Sequence, residues 1–273
     1  MLTLFSPAKV NLFLRVVGRR PDGYHDLSSL FQTISLGDTL SFQLAETDSL
    51  TCTDKSLPVD GTNLVMKAVE LFRRKTGLRF GVKIHLDKKI PSQAGLGGGS
   101  SNAATTLWAL NRLLGDCVAV SELQAWSAEI GSDIPFFFSQ GTAYCTGRGE
   151  VVEDVGMLGA VPLTIVKPPI GLPTPAVYAR LRTMAPAVHR TAPREDLELF
   201  LRGKPHYFND LEAPAFAQEP TLAALKEALK RSGYKTVLMT GSGSAFFCIG
   251  KGTATHLYQA NAVYVNRPTN QWY

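Results

Sequence analysis

The chain has 273 residues, of which 45% are hydrophobic and 19% charged. At roughly 150 residues per domain this suggests one large or two ordinary domains, and the balance excludes a chain disordered throughout. The net charge of +5 is uneven: residues 1–155 hold 15 Lys+Arg against 16 Asp+Glu, and residues 156–273 hold 13 against 7. The basic residues are scattered, so a solvated surface is the better reading than a nucleic-acid patch.

Val10, Leu12, Leu14 and Val16 alternate with Lys9, Asn11, Phe13 and Arg15, the period of a half-buried strand. Lys9 and Asn11 would then project from one face, opposite the core. Arg20-Pro21-Asp22-Gly23 reads as a turn. Residues 31–36 and 39–44 read as two strands of a hairpin around Gly37-Asp38. Asn63 is placed to cap a helix running to Thr76, with Gly77 as its stop. Phe80, Val82, Ile84 and Leu86 form another alternating strand, and residues 100–114 a helix ending at Gly115. Ser121-Glu122-Leu123-Gln124 reads as a capping box for a helix that stops near Gly131. A proline-rich run from Pro162 to Pro175 follows, which puts a domain boundary near residue 155 and divides the chain into 1–155 and 156–273. The second half offers a strand at 163–167, helices near 194–201 and 221–232, and two strands flanking Gly241-Ser242-Gly243. Strands and helices are mixed in both halves, so the fold class is α+β.

The four cysteines, Cys52, Cys117, Cys145 and Cys248, lie far apart without a C-x-x-C. That argues against zinc and against a secreted disulfide framework, and fits a reducing cytosol. The longest apolar stretch, 156–166, contains Pro162 and is too short to span a bilayer. Residues 1–7 have no basic region and no long apolar core of a targeting peptide. A cytoplasmic protein without a membrane partner is expected.

The segment Pro91-Ser92-Gln93-Ala94-Gly95-Leu96-Gly97-Gly98-Gly99-Ser100-Ser101-Asn102 lies between a strand and a helix. Glycines let the backbone turn through positive φ and bring N–H groups against a ligand. The following helix points its free N–H groups and positive dipole end to the same place, where a phosphate is the natural occupant. No Walker string G-x-x-x-x-G-K-[S/T] occurs, and H-R-D, D-F-G and G-x-S-x-G are absent. The dinucleotide fingerprint nearly fits Gly95, Gly97 and Ser100, but residues 88–94 separate the glycines from the strand.

The string P-x-x-A-G-L-G-G-G-S-S-N-A-A resembles the phosphate loop of the GHMP kinases, the family of galactokinase, homoserine kinase and mevalonate kinase. Ser6-Pro7-Ala8-Lys9-Val10-Asn11-Leu12, Gly18-Arg19-Arg20-Pro21-Asp22-Gly23-Tyr24-His25, Gly131-Ser132-Asp133-Ile134-Pro135-Phe136-Phe137, Leu172-Pro173-Thr174-Pro175 and Met239-Thr240-Gly241-Ser242-Gly243-Ser244-Ala245 are similar to further motifs of that family. Their order along the chain is much more specific than any single glycine string. The resemblance implies a two-domain fold with the active site in the cleft between the domains. It implies ATP as phosphoryl donor with Mg²⁺, an ATP-binding first domain, and a small-molecule alcohol acceptor, here a cytidine-diphospho methylerythritol used for isoprenoid precursors.

By chemistry alone Asp133 is either a general base or a helix cap, and Lys9 either a catalytic cation or a solvated surface group. The resemblance makes both catalytic, with Asn11 hydrogen-bonding the substrate. Tyr24 and His25 either close an ordinary turn or read a pyrimidine. The resemblance puts His25 on the cytosine edge and Tyr178 against its ring, with Thr174 nearby. Asn63 borders the adenine pocket by resemblance, beside its capping role. Ser101 is the candidate Mg²⁺ ligand, and Gly241-Ser242-Gly243 is either a tight hairpin or a close backbone approach to the substrate's phosphates. Rival readings are another GHMP kinase, a dinucleotide-dependent oxidoreductase, and a non-catalytic RNA-binding module.

Overall fold

The structure, a computed structural model, describes residues 1–254, 257–268 and 271–273. In chain order the first half contains β1 (Leu2–Arg19), β2 (His25–Ala45), β3 (Ser49–Cys52), α1 (Leu64–Thr76), β4 (Gly81–Asp87), α2 (Gly98–Leu113), α3 (Val120–Ser127), a 3-10 turn at Pro135–Phe138, β5 (Thr142–Gly147) and β6 (Val151–Asp154). The second contains β7 (Pro162–Lys167), α4 (Thr174–Leu181), α5 (Pro193–Leu201), α6 (Glu212–Gln218), α7 (Pro220–Arg231), β8 (Thr236–Met239), β9 (Phe246–Ile249) and β10 (Tyr258–Val263). Strands β1 to β6 make a six-stranded sheet, and the others a four-stranded sheet in the order β10-β7-β9-β8. The fold is α+β.

β1 and β2 pair antiparallel from Leu2 opposite Phe42 to Arg19 opposite His25. The far edge of β2 is shared, with β5 on residues 27–32 and β4 on residues 39–45. Gly37-Asp38 is therefore not the expected hairpin. It lies inside one long strand, where the register against β1 shifts between Pro7 and Ala8. Gly37 is needed because the Phe5 ring occupies the space a Cβ would take. A Gly-Asp pair between two alternating runs fits a hairpin and a bulged strand equally well, and only the partner strand decides.

Lys9 and Asn11 share a side of β1, but that side is buried too, leaving Lys9 2% and Asn11 0% exposed. Val10 and Leu12 pack with Ile165 and Phe247 of the second sheet. Lys9 stands over Phe31, which belongs to the core of α1, α2 and the first sheet. Two covers on one strand remove the exposed face that the alternation suggests.

α1 begins where expected: Asn63 Oδ1 accepts the Val65 N–H at 2.9 Å, and Gly77 at φ 71° ends the helix. Its Val69 and Phe72 meet Ala103 and Leu107 of α2 above Phe42 and Ile84. α3 starts earlier than expected, capped at Ala119 and not at Ser121. Glu122 accepts the Ala119 N–H at 3.3 Å, so half of a capping box is present, alanine having no oxygen to complete it. In the second half Val177, Ala215 and Leu222 of α4, α6 and α7 cover Val237 and Phe246. The halves are stitched together at β1. Leu14 N–H donates to Phe208 O and Asp210 N–H to Leu14 O, each at 2.9 Å, and Arg15 meets Asp196 at 2.8 Å with both side chains buried.

Candidate active site

The chain between β4 and α2 crosses below β1. Lys9 N–H donates to Leu96 O at 2.9 Å, and Ala245 N–H to Ala94 O at 3.1 Å, which ties the loop to both halves. Gly95 (φ 73°) lies against the Thr240 carbonyl, where a Cβ would collide, and Gly241 (φ 55°) lies against Gly95 in turn. The two glycine loops touch backbone to backbone, which side chains would prevent. Gly97 (φ 69°) is the N-cap of α2. The N–H groups of Gly98, Gly99 and Ser100 thus open the helix without intrahelical acceptors, at its positive dipole end. With Pro91, Ser92 and Gln93 they line a cleft of about 880 Å³.

One buried carboxylate holds both ends of this loop. Asp38 accepts the N–H groups of Lys89 (2.7 Å) and Ile90 (2.8 Å), the Lys88 ammonium (2.8 Å) and the Asn102 amide (2.9 Å). Its exposure is 0%.

Lys9 Nζ lies 3.3 Å from Asp133 Oδ2, donates to Asn11 Oδ1 at 2.7 Å and sits 4.4 Å from the Phe31 ring centroid. Asn11 is held in turn by Ser29 and Thr240: its amide donates to Ser29 Oγ, and its N–H to Thr240 Oγ1. The couple is asymmetric, the Lys9 side chain being 3% exposed and that of Asp133 35%. Asp133 is not a cap, because Ile134 is the N-cap of the 3-10 turn and the carboxylate turns to Lys9.

At the other end of the cleft the His25 and Tyr178 rings stack, with centroids 5.1 Å apart and planes at 28°. Tyr24 stands beside them, 56% exposed. Burial, aided by Arg182 and Arg19, holds the His25 imidazole below its ordinary value of 6.5. It is neutral at physiological pH and offers one donor and one acceptor. The hydroxyls of Thr174 and Ser242 share a hydrogen bond of 2.8 Å, and Gly243 takes φ 89°. Glycine loop, Lys9–Asp133 couple, aromatic patch and the 241–243 turn all line the same cleft.

Known proteins resemble this chain in sequence and fold. Residues 63–141 match the family model described as GHMP kinases N terminal domain, and residues 184–265 match GHMP kinases C terminal. A relative named 4-diphosphocytidyl-2-C-methyl-D-erythritol kinase, from Protochlamydia amoebophila (strain UWE25), is 58% identical over 273 residues, covering 100% of this chain and 93% of its own length. A chloroplastic relative of the same name from Oryza sativa subsp. japonica is 46% identical over 296 residues, covering 100% of this chain and 73% of its own. A crystal structure of 4-(cytidine 5'-diphospho)-2C-methyl-D-erythritol kinase superposes with a TM-score of 0.80 at 36% identity, covering 97% of this chain and 99% of that one. The chain belongs to the 4-diphosphocytidyl-2-C-methyl-D-erythritol kinases, a branch of the GHMP kinase family.

In this GHMP kinase one expected residue is displaced from the cleft. Ser101 lies within α2 with 0% exposure, and its hydroxyl accepts a hydrogen bond from Ser6. That is a correction to its expected metal role, because a helix residue one turn past the loop points back into the core. Asn63 lines the cleft while its side chain caps α1, as expected, and donates to Pro58 O. Sequence reasoning missed Lys88, Arg148 and Arg182, which line the cleft, and Asp38 and Thr240, which support it. Arg148 had a visible signal in Gly147-Arg148-Gly149-Glu150. Asp38 was hidden in the supposed hairpin.

Proposed function

We propose that this GHMP kinase transfers the γ-phosphoryl group of ATP to the 2-hydroxyl of 4-(cytidine 5'-diphospho)-2-C-methyl-D-erythritol, a step in non-mevalonate isoprenoid precursor synthesis. The observation that carries this reading is one cleft with a helix N-terminus, a 3.3 Å Lys9–Asp133 couple and the His25–Tyr178 stack along it. Residues 1–155 form the ATP-binding half, and residues 156–273 contribute Thr174, Tyr178 and the 241–243 turn to the acceptor side.

The ATP phosphates lie on the N–H groups of residues 98–100, where dipole and donors favour anions, and Asn63 borders the adenine. The acceptor hydroxyl sits at Asp133. Asp133 accepts its proton as the oxygen bonds to γ-phosphorus, and the bond to the β–γ bridging oxygen breaks to release ADP. Lys9 holds the carboxylate in place and offsets charge building on the transferred group. Asn11 fixes the Lys9 ammonium and donates toward the acceptor. The neutral His25 hydrogen-bonds the cytosine edge beside Tyr178.

Asp133 is the only carboxylate among the described cleft residues. Mg²⁺ takes few protein ligands and relies on nucleotide phosphates and water. Mg²⁺ brought in with ATP would be held by those phosphates and would neutralise them, while Asp133, paired with Lys9, is kept for the acceptor hydroxyl. No helix among the described residues is long and apolar enough to cross a membrane. The cytoplasm is our reading for its location, several plant relatives being named chloroplastic.

The test is direct. Purified protein with ATP, Mg²⁺ and the cytidine-diphospho methylerythritol should give a new phosphomonoester by phosphorus NMR. Homoserine and mevalonate serve as competing acceptors. No turnover with the first alcohol, or faster turnover of either control, overturns the assignment.

A further inference from the structure

β5 passes into β6 through Arg148-Gly149-Glu150. Gly147 at φ 65° and Gly149 at φ 118° make the turn tight, and the Glu150 carboxylate accepts the Arg148 N–H at 2.6 Å. A Cβ at Gly149 would stand 3.3 Å from Asp133 Oδ1, so the turn abuts the acceptor end of the Lys9–Asp133 couple. From there the Arg148 side chain reaches the aromatic end, its guanidinium carbon 5.0 Å from the Tyr24 ring centroid. Its Nε meets Glu150 at 3.4 Å, while Nη1 and Nη2 donate to none of the described residues.

The other cations of the cleft are differently placed. Lys9 is held by Asn11 and Asp133, and Lys88 by Asp38 and the Ile90 carbonyl. Arg182 stands by His25. An acceptor with its base on His25 and Tyr178 and its hydroxyl at Asp133 must carry its linker across the span between them. Arg148 borders that span, with one edge of a planar fork unspent. Two parallel N–H donors match two phosphate oxygens better than a point charge does.

We propose that Arg148 binds the diphosphate of the acceptor and so selects a nucleoside-diphosphate alcohol over an uncharged one. The inference rests on the acceptor reading above. The experiment measures competition by cytidine and by cytidine diphosphate against the acceptor, at saturating ATP. In the wild type the diphosphate should bind ~10- to 100-fold more tightly than cytidine, the range of a charge-assisted pair. Arg148→Gln should bring the two within about 3-fold while the KM for ATP stays put, and Arg148→Lys should restore part of the gap. The Arg148 side chain is 31% exposed, and thermal unfolding is the check that each variant is folded. A ratio unchanged in Arg148→Gln overturns the role of Arg148 alone. If neither compound competes with the wild type, the acceptor reading falls and the inference falls with it.

Discussion

Lys9 and Asp133 meet water on unequal terms, 3% against 35% side-chain exposure, and this sets what their loss should do. Asp133→Asn keeps the shape of an open group, so the fold should survive while kcat drops by ~10²–10⁴, the usual share of a positioned proton acceptor. Lys9→Met should lower kcat as well, since Asp133 then loses the cation that orients it. ADP-release kinetics check both, with unfolding midpoints as the control. His25 gives a pH signature. Its folded value lies below 6.5, so on acidification the unfolded chain takes up the proton first. The stability drawn from neutral His25 is therefore complete above about 6.5 and drains away as pH falls toward the folded value. The acceptor KM should stay flat from neutrality to that point and rise only beyond it, and the wild-type midpoint should fall more steeply there than that of His25→Asn. These residues were legible through motifs: nothing in the period of β1 says that Lys9 faces a carboxylate far along the chain. Arg148, which lines the cleft, was missed although Gly147-Arg148-Gly149 marks a tight turn, because one charge in a turn looks like any solvated charge.

Among the elements, the loop before α2 depends on its glycines and on Asp38. Gly95→Ala would force a Cβ into the Thr240 carbonyl at a φ of 73°. We expect a loss of ~1–3 kcal/mol in stability and of ATP binding, read by thermal unfolding and nucleotide titration. Asp38→Asn puts an amide where four donors converge, so the KM for ATP should rise about 10-fold, more than that for the acceptor. Elements with local punctuation were readable from the chain. Asn63 and Gly77 bracket α1, and glycines open α2. β2 was misread because its continuity is decided by β1. β6 and β10 are largely exposed and so show no apolar period, and α4 starts among prolines that read as loop.

Across the whole molecule, the two halves are locked by the buried Arg15–Asp196 pair. Asp196→Ala should cost ~3–5 kcal/mol by stranding a buried guanidinium, whereas Arg15→Met with Asp196→Leu should cost clearly less. Chemical denaturation of the two variants tests the difference. Burial raises the Cys52 and Cys145 thiols and pushes Cys248 up to about 12, while Cys117 is exposed. A chromogenic thiol reagent should count one fast cysteine in the native protein and four after denaturation. The α+β class and the shared cleft were foreseeable from the order of motifs. The docking of residues 208–210 onto β1 was not, since a bridge between distant segments leaves no local trace. Translation delivers β1 before its partners: Lys9 waits for Asp133, Leu14 for Phe208, and Asn11 for Thr240. A ribosome stalled before residue 208 therefore holds a chain in which β1 is still bare on one flank.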